Sequence, residues 1–444
     1  MNPLYPQASV DLVHLVDRVL FQPDDPDESD DETLQDAPKT VPSPPPSTSS
    51  TTAPSLKKRE FPFEPQPSSQ LSSQPKPSYQ ARKRARRRQL DYEKHGHVGG
   101  YNASVASKSS VPLPTQVDCN TLPAAQGGYI RIPQDMRGRT VDRPLEWFLK
   151  EGFELVKFDG SFSIPFIDTN GRVIGAAVKK PTTTQYTRDV NEAAQLLKKA
   201  CETGNFTADE KNSKRGRGFP AVPYGLSYGK GQPRPMRLKR RASFMRSLLS
   251  AECFRNIAHA QSAAYAAFSP DNYKYYFEGM KRVKKLLEEL GVPAEDLEPN
   301  FPRSVFACIS VNFGPRTRTF VHADSKNTAH GMCAITSAGN FDYKLGGHLV
   351  LWDLKLVIEF PPGTTILIPS ALLLHSNIGV RAHETRYSIT QYTAGGIWRW
   401  LDDGGRTRED IKATAPEDLV DIMESKVGRR EFMLQKFCTL DDLR

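Results

Sequence analysis

The sequence predicts an α+β protein, a jelly roll buttressed by helices, behind a long disordered N-terminal tail. Three observations carry this. Helical runs stand at 187–201, 236–268 and 271–290, and in the last apolar residues recur at three- and four-residue steps, the period of a helix that buries one face. From 304 to 392 the pattern turns into short apolar runs punctuated by Gly and Pro, which is how closely spaced strands read. Helices followed by many short strands suggest a strand sandwich with helices against it. Before about residue 116 the composition is too polar and proline-rich to build a core.

The tail, 1–115, holds "PSPPPSTSSTTAPS" (42–55), an acidic block "DDPDESDDE" (24–32) and a basic run "RKRARRR" (82–88). Like charges in such blocks repel and stay solvated. The basic run reads as a nuclear localisation signal, which assigns the protein to the nucleus. Ahead of the acidic block, "SVDLVHLVDRVLF" (9–21) could fold as a short helix on a protein partner, being too short to hold alone.

The folded part, 116–444, opens with "SFSIPFIDTNGRVIGAAVKKP" (161–181), two strands joined at Asn170-Gly171, a strong hairpin signal. Helices are expected at 187–201, throughout 236–268, at 271–290 with a stop at Gly291, and at 416–437. Strands are expected at 304–313, 346–352, 355–360, 364–369 and 386–392, which puts the jelly-roll core at about 300–400. No internal repeat is visible.

The 444 residues carry a formal charge of +9, and the pI is about 9.1. That balance is compatible with a nucleic-acid partner or an acidic membrane surface. No apolar run reaches membrane-spanning length and no secretory leader follows Met1, so no membrane association is expected. Cys119, Cys201, Cys253, Cys308, Cys333 and Cys438 form no C-x-x-C pair, which argues against a zinc ribbon or a disulfide framework and for reduced thiols in an intracellular protein.

The chemistry concentrates in "TFVHADSKN" (319–327). Side chains at i and i+2 of a strand share a face, so His322 and Asp324 can aim at one point. His375, in "LLLHSNIGVRAHETRYS" (372–388), supplies a third ligand. Two imidazoles and one carboxylate on one face of an octahedron leave three positions open, the arrangement of non-haem Fe(II) enzymes that activate O2. Those positions can take a bidentate 2-oxo acid and then O2. The distal carboxylate of 2-oxoglutarate needs a cation; Arg386 offers a planar fork and Ser388 a hydroxyl on the same strand face. His330, His348 and His383 compete for the ligand role. Their neighbourhoods suggest surface histidines or satisfied core ones.

The stretch from "NFGPRTRTFVHADSKN" through "LGGHLVLW" and "ALLLHSN" to "RYSITQYTAGG" resembles the fungal TET/JBP-type dioxygenases, often encoded alongside transposons. The resemblance spans about 215–400, more loosely from about 125. It implies a double-stranded β-helix using Fe(II) and 2-oxoglutarate, and oxidation of the methyl group of 5-methylcytosine or thymine in DNA. It implies His322, Asp324 and His375 as metal ligands, Arg386 with Ser388 for the cosubstrate, and Asn327 facing the substrate or the 2-oxo acid. The cysteine-rich zinc region of animal TET proteins is absent, as are the kinetoplastid DNA-binding domain and any CXXC-type reader.

The basic stretch 211–241 is rich in Gly and Pro. Lys214, Arg215 and Arg217 could neutralise phosphates, and Phe219, Tyr224 and Tyr228 could stack on a base or fill the gap left by a flipped one. Two other readings stand beside a DNA dioxygenase. A 2-oxoglutarate-dependent protein hydroxylase would use the same triad, and the basic aromatic stretch argues against it. A transposon-associated DNA-binding protein without catalysis would not need an intact triad and Arg386.

Overall fold

The computed structural model describes residues 78–96, 110–134, 142–213, 215–229, 231–424 and 426–443. The 9–21 segment, the acidic block and the Pro/Ser-rich stretch lie outside them. The basic run 82–88 falls within helix α1 (Tyr79–His95), inside the stretch whose composition suggests an irregular tail. Ala, Arg, Lys, Gln and Leu are good helix formers, so a charged run built from them takes helical backbone without an apolar stripe. Two compact units divide the chain, Asp25–Gln89 and a larger one that holds Leu90–Arg444. The larger unit carries all that follows.

Its strands are β1 (Leu113–Pro114), β2 (Glu154–Val156), β3 (Ile164–Ile167), β4 (Val173–Val178), β5 (Asn212–Ser213), β6 (Gly216–Arg217), β7 (Ala221–Ser227), β8 (Met236–Arg237), β9 (Cys308–Asn312), β10 (Cys333–Asn340), β11 (Leu349–Leu351), β12 (Leu356–Ile358), β13 (Thr365–Ile368), β14 (His375–Asn377) and β15 (Thr385–Tyr392). Its helices are α2 (Leu145–Lys150), α3 (Thr184–Thr203), α4 (Ala242–Leu249), α5 (Glu252–Phe268), α6 (Pro270–Glu289), α7 (Ala294–Leu297), α8 (Gly395–Asp402), α9 (Arg408–Thr414), α10 (Asp418–Glu424) and α11 (Arg429–Leu434). One sheet has the order β1-β3-β4-β13-β10-β15-β9-β7-β8 and a smaller one the order β14-β11-β12-β2. Pairing is antiparallel except for β1 with β3 and β2 with β12. These two sheets are the layers of the expected jelly roll.

Helices close the outer faces. Val190, Ala193 and Leu197 of α3, Met245 and Leu248 of α4, and Phe254 and Ile257 of α5 form one core with Val311 of β9 and Tyr387 and Ile389 of β15. Against the smaller sheet, Phe148 of α2 and Phe153 pack on Val350 and Val357, with Trp352 beside them. A buried polar strap ties helix to sheet: Gln261 of α5 donates to Ala334 O at 3.0 Å, Thr336 Oγ1 at 2.9 Å and Ile389 O at 2.9 Å.

The β3–β4 hairpin forms as the sequence predicts. Gly171 sits at φ +77°, a conformation that suits Gly, and Asp168 Oδ1 accepts from the amides of Asn170 and Arg172. The expected single helix 236–268 is instead β8, α4 and α5. Leu226 pairs with Arg237, and Ala251 takes extended backbone between the two helices. The expected helix 416–437 is α10 and α11, interrupted by Gly428 at φ +78°. β10 has no counterpart among the strands expected from sequence. Its "CAITSAGN" is too poor in large apolar residues to read as a strand, yet it lies between β13 and β15. Before the expected core boundary of about 300, β4 and β7 also join the large sheet, on β13 and β9.

Candidate metal centre

His322 and His375 face one another as an antiparallel backbone pair. The His322 amide donates to His375 O at 3.0 Å and the His375 amide to His322 O at 2.8 Å. Their ring centroids are 4.3 Å apart. The Asp324 amide donates to Ser370 O at 2.9 Å, which brings its carboxylate between the rings. His322 Nε2 lies 3.9 Å from Asp324 Oδ1, and His375 Nε2 lies 3.9 Å from Oδ2. One ligand atom from each of the three residues falls within 4.8 Å of the others. So the spacing argument from sequence holds: these three converge.

Each imidazole is held from behind. His322 Nδ1 bonds Phe320 O at 2.8 Å and His375 Nδ1 bonds Leu373 O at 2.9 Å. A carbonyl there requires the proton on Nδ1, which leaves the Nε2 lone pair for a metal. The Ser370 hydroxyl bonds the Asp324 carboxylate. Burial, and then the neighbouring His375, push the His322 imidazole down to about 3, and burial also lowers His375. Burial alone would raise Asp324; the Arg215 guanidinium and the two imidazoles outweigh it and hold the carboxyl at about 2. At neutral pH the set is therefore two neutral imidazoles and a carboxylate, the protonation state that ligates a divalent cation. Asp324 Oδ1 is buried and paired with Arg215 Nη1 at 3.0 Å. A buried carboxylate beside two Nε2 lone pairs fits a metal ion.

Arg386 lies on β15, opposite Gly339 of β10, and is 1 % exposed. Its Nη1 donates to Thr317 O at 3.2 Å and Thr317 Oγ1 at 3.1 Å, while Nε and Nη2 are buried without a partner. The guanidinium lies over the Phe360 ring, 5.7 Å from its centroid. Burial pulls it from 12.5 down to about 10. Ser388 is also buried and accepts from Asn312 Nδ2 at 2.7 Å.

Several expectations from sequence change. His348 is fully buried with neither ring nitrogen partnered, and burial, then Arg386, push it down to about 4. It is not a satisfied core histidine but a second unpartnered polar group beside Arg386. Gly347, at φ +75°, gives the room: a Cβ there would meet Phe341 Cε2 at 2.6 Å and Arg386 Cδ at 3.2 Å. Asn327 Nδ2 donates to Ser370 Oγ at 3.1 Å, behind the ligand carboxylate. Phe219 and Tyr224 are buried, and Tyr228 packs on Trp400 with centroids 6.4 Å apart, so these aromatics fill core space rather than await a base. Arg215 reaches into the centre, with Nη1 3.0 Å from Asp324 Oδ1.

Lys214 lies outside the described residues, and Arg217 is exposed. His330 is fully buried against Phe437 with neither ring nitrogen partnered, so it too is not a satisfied core histidine, and His383 is exposed. Among the described residues the six cysteines are free, and no helix is long and apolar enough to cross a membrane.

No family model matches the chain, and no curated protein does. Among solved structures it matches NgTET1 in complex with 5mC DNA at 12 % identity, over 55 % of this chain and 83 % of that one, with a TM-score of 0.37. It matches the viral collagen prolyl hydroxylase vCPH from Paramecium Bursaria Chlorella virus-1 at 19 % identity, over 20 % of this chain and 58 % of that one, with a TM-score of 0.17. It also matches an oxidoreductase of the 2OG-Fe(II) oxygenase family from Burkholderia pseudomallei at 22 % identity, over 20 % of this chain and 44 % of that one, with a TM-score of 0.17.

Proposed function

We propose that the protein is an Fe(II)- and 2-oxoglutarate-dependent dioxygenase that oxidises the methyl group of a modified base in DNA, 5-methylcytosine first. One observation carries the oxygenase reading. An imidazole–carboxylate–imidazole set and a buried, half-partnered guanidinium occur in the same jelly roll, joined by one extended segment. That segment holds Arg386 through Thr317 and ends in His322 and Asp324. His322, Asp324 and His375 would hold Fe(II). Arg386 and His348 offer the unpaired donors that the distal carboxylate of 2-oxoglutarate needs, with Ser388 two residues along the same face.

The bound iron would supply oxidation of a C–H bond by O2, with 2-oxoglutarate as the co-reductant leaving as succinate and CO2. The chain's own residues orient and protect. The Nδ1 hydrogen bonds fix both imidazoles, and Ser370, braced by Asn327, fixes the carboxylate. Phe360 walls the guanidinium from water, so a carboxylate arriving there meets an undiluted charge.

DNA as substrate is supported by the charge of +9, by Arg215 beside the centre, and by the resemblance of 215–400 to fungal TET/JBP-type enzymes. A methyl group inside a duplex cannot reach a buried metal, so the base would be flipped, at a cost of a few kcal/mol recovered in contacts. The helical basic run 82–88 supports a nuclear location.

The test incubates protein, Fe(II) and 2-oxoglutarate with 5-methylcytosine DNA and, separately, with a peptide pool. Succinate is measured together with nucleoside mass spectra. Hydroxymethylated base with stoichiometric succinate is expected, lost in His322→Ala and Asp324→Ala along with iron binding. Full turnover and stoichiometric iron in either variant would show the triad to be wrong; succinate with peptides alone would move the substrate to protein.

A further inference from the structure

Beyond the metal centre, a cleft of about 330 Å³ is lined by Arg217, Gly218, Arg316, Arg318, Gly379 and Ala382 among others. It follows from the local backbone. Thr317 is 1 % exposed and points inward to Arg386, so its neighbours Arg316 and Arg318 turn outward. The Phe320 amide donates to Arg215 O at 2.8 Å, and this lays the 215–217 segment against 318–320 and brings Arg217 across from Arg318. On the far side, the Asn377 amide donates to Thr319 O at 3.2 Å, which sets the 379–382 turn as the opposite wall.

Three guanidiniums thus line one cleft whose lining residues include no acid. Asp142 pairs with Arg318 from outside the lining. Arg316 spends one donor on Ala382 O at 3.1 Å, and Arg318 Nε is buried without a partner. Asp142 offsets one of the three charges, the other two still repel, and guanidiniums with spare donors match the oxygens of a phosphodiester. The cleft is also in reach of the chemistry. Arg318 and His322 are four residues apart on extended chain, at most about 14 Å.

We infer that this cleft binds the phosphodiester backbone of the nucleic-acid strand whose base enters the metal centre. The inference rests on the proposed DNA dioxygenase activity and adds to it where the strand docks. Arg316 and Arg318, rather than the packed aromatics Phe219, Tyr224 and Tyr228, position it.

The experiment measures binding of the full chain to a 5-methylcytosine duplex at several salt concentrations. Wild type is compared with Arg316→Gln/Arg318→Gln and with Ala382→Glu, which adds a negative charge at an exposed wall residue. The double variant is expected to flatten the slope of log K against log salt by about 0.9 for each phosphate it no longer neutralises. Ala382→Glu should weaken binding about tenfold. Melting temperature, iron binding and 2-oxoglutarate binding should be unchanged, and should the double variant fail to fold, Ala382→Glu decides. Wild-type slope and affinity in both variants, with wild type still oxidising methylated DNA, would overturn the cleft and leave the oxygenase reading standing. Wild type that binds no nucleic acid would overturn both. Competition by inorganic phosphate as strong as by oligonucleotide, at equal phosphate concentration, would make this a free-anion site and overturn the strand assignment.

Discussion

Replacing Arg386 by Met should stabilise the ligand-free protein while abolishing its response to 2-oxoglutarate. The guanidinium is buried, and two of its three nitrogens have no partner. The burial that pulls it from 12.5 down to about 10 corresponds to about 3 kcal/mol against the charged form. Met is similar in length and apolar, so that penalty goes; the hydrogen bonds to Thr317 go with it, at about 1 kcal/mol each. The net is about 1 kcal/mol in favour of the variant, in line with the general finding that buried charges are exchanged for apolar groups at no loss. A base whose folded pKa is depressed destabilises the fold at every pH below that pKa. It is relieved only as pH rises from about 10 to 12.5, so the difference between variant and wild type should be flat from pH 6 to 9. Thermal unfolding of metal-loaded protein, with and without 2-oxoglutarate, reads both effects. Wild type should gain about 2.7 kcal/mol at a ligand concentration of about 100 Kd, and Arg386→Met nothing. A variant that keeps the full 2-oxoglutarate-dependent gain would refute the anchor. A ligand-free variant less stable than wild type by over 1 kcal/mol would refute the unpaired-cation argument.

Other perturbations test neighbouring parts. Arg215→Gln removes an ion pair to Asp324 that a metal must displace; its guanidinium is half exposed, so about 0.5–1 kcal/mol is released and iron affinity should rise about two- to fivefold in a chelator competition. Lower affinity would mean that Arg215 supports the metal site. Glu210 is held at about 2 chiefly by its hydrogen bonds to Arg241, at 2.6 and 2.7 Å, so its contribution is present above pH 4.5 and fades as pH falls toward 2. Glu210→Gln should cost about 1 kcal/mol in urea unfolding at pH 7, with the gap closing through that window; a gap unchanged at pH 3 would sink the linkage. Gln261→Leu removes the strap from α5 to β10 and β15 and deprives Gln391 Nε2 of a partner at 2.8 Å, so about 2 kcal/mol should be lost; a neutral substitution would mean the strap contributes nothing net.

What sequence reveals here depends on whether the signal is local. The convergence of His322 and Asp324 was legible because period-2 geometry fixes which residues share a face, and a third imidazole, His375, stood ready in the strands that follow. β10 was invisible for the opposite reason. Its small residues are set by neighbours distant in sequence, the helices on one side and the facing sheet on the other, and no run of eight residues encodes that. The aromatics of the basic stretch misled for a related reason. Periodicity there was masked by Gly and Pro, while β7 was already committed to β9, with Tyr224 opposite Ile309. A Tyr paired to a central strand is packing material, whatever charge surrounds it in sequence.

His348 and the arginine cleft point to a common cause. Both depend on the extended segment 315–322. Thr317 is buried and faces Arg386, while its neighbours Arg316 and Arg318 line the cleft. His322 has the parity of Arg316 and Arg318 yet joins the metal set, so strict alternation does not run unbroken from 316 to 322, and no period-2 reading of "PRTRTFVHAD" places all four residues. Backbone contacts fix the two ends instead: the Thr317 amide donates to Arg386 O at 3.1 Å and the His322 amide to His375 O at 3.0 Å. One segment thus supplies a ligand to the metal set and arrays cations along the cleft. A polyanion that must deliver a base inward and keep its phosphates outward matches that arrangement in a way that an uncharged side chain of a protein substrate does not.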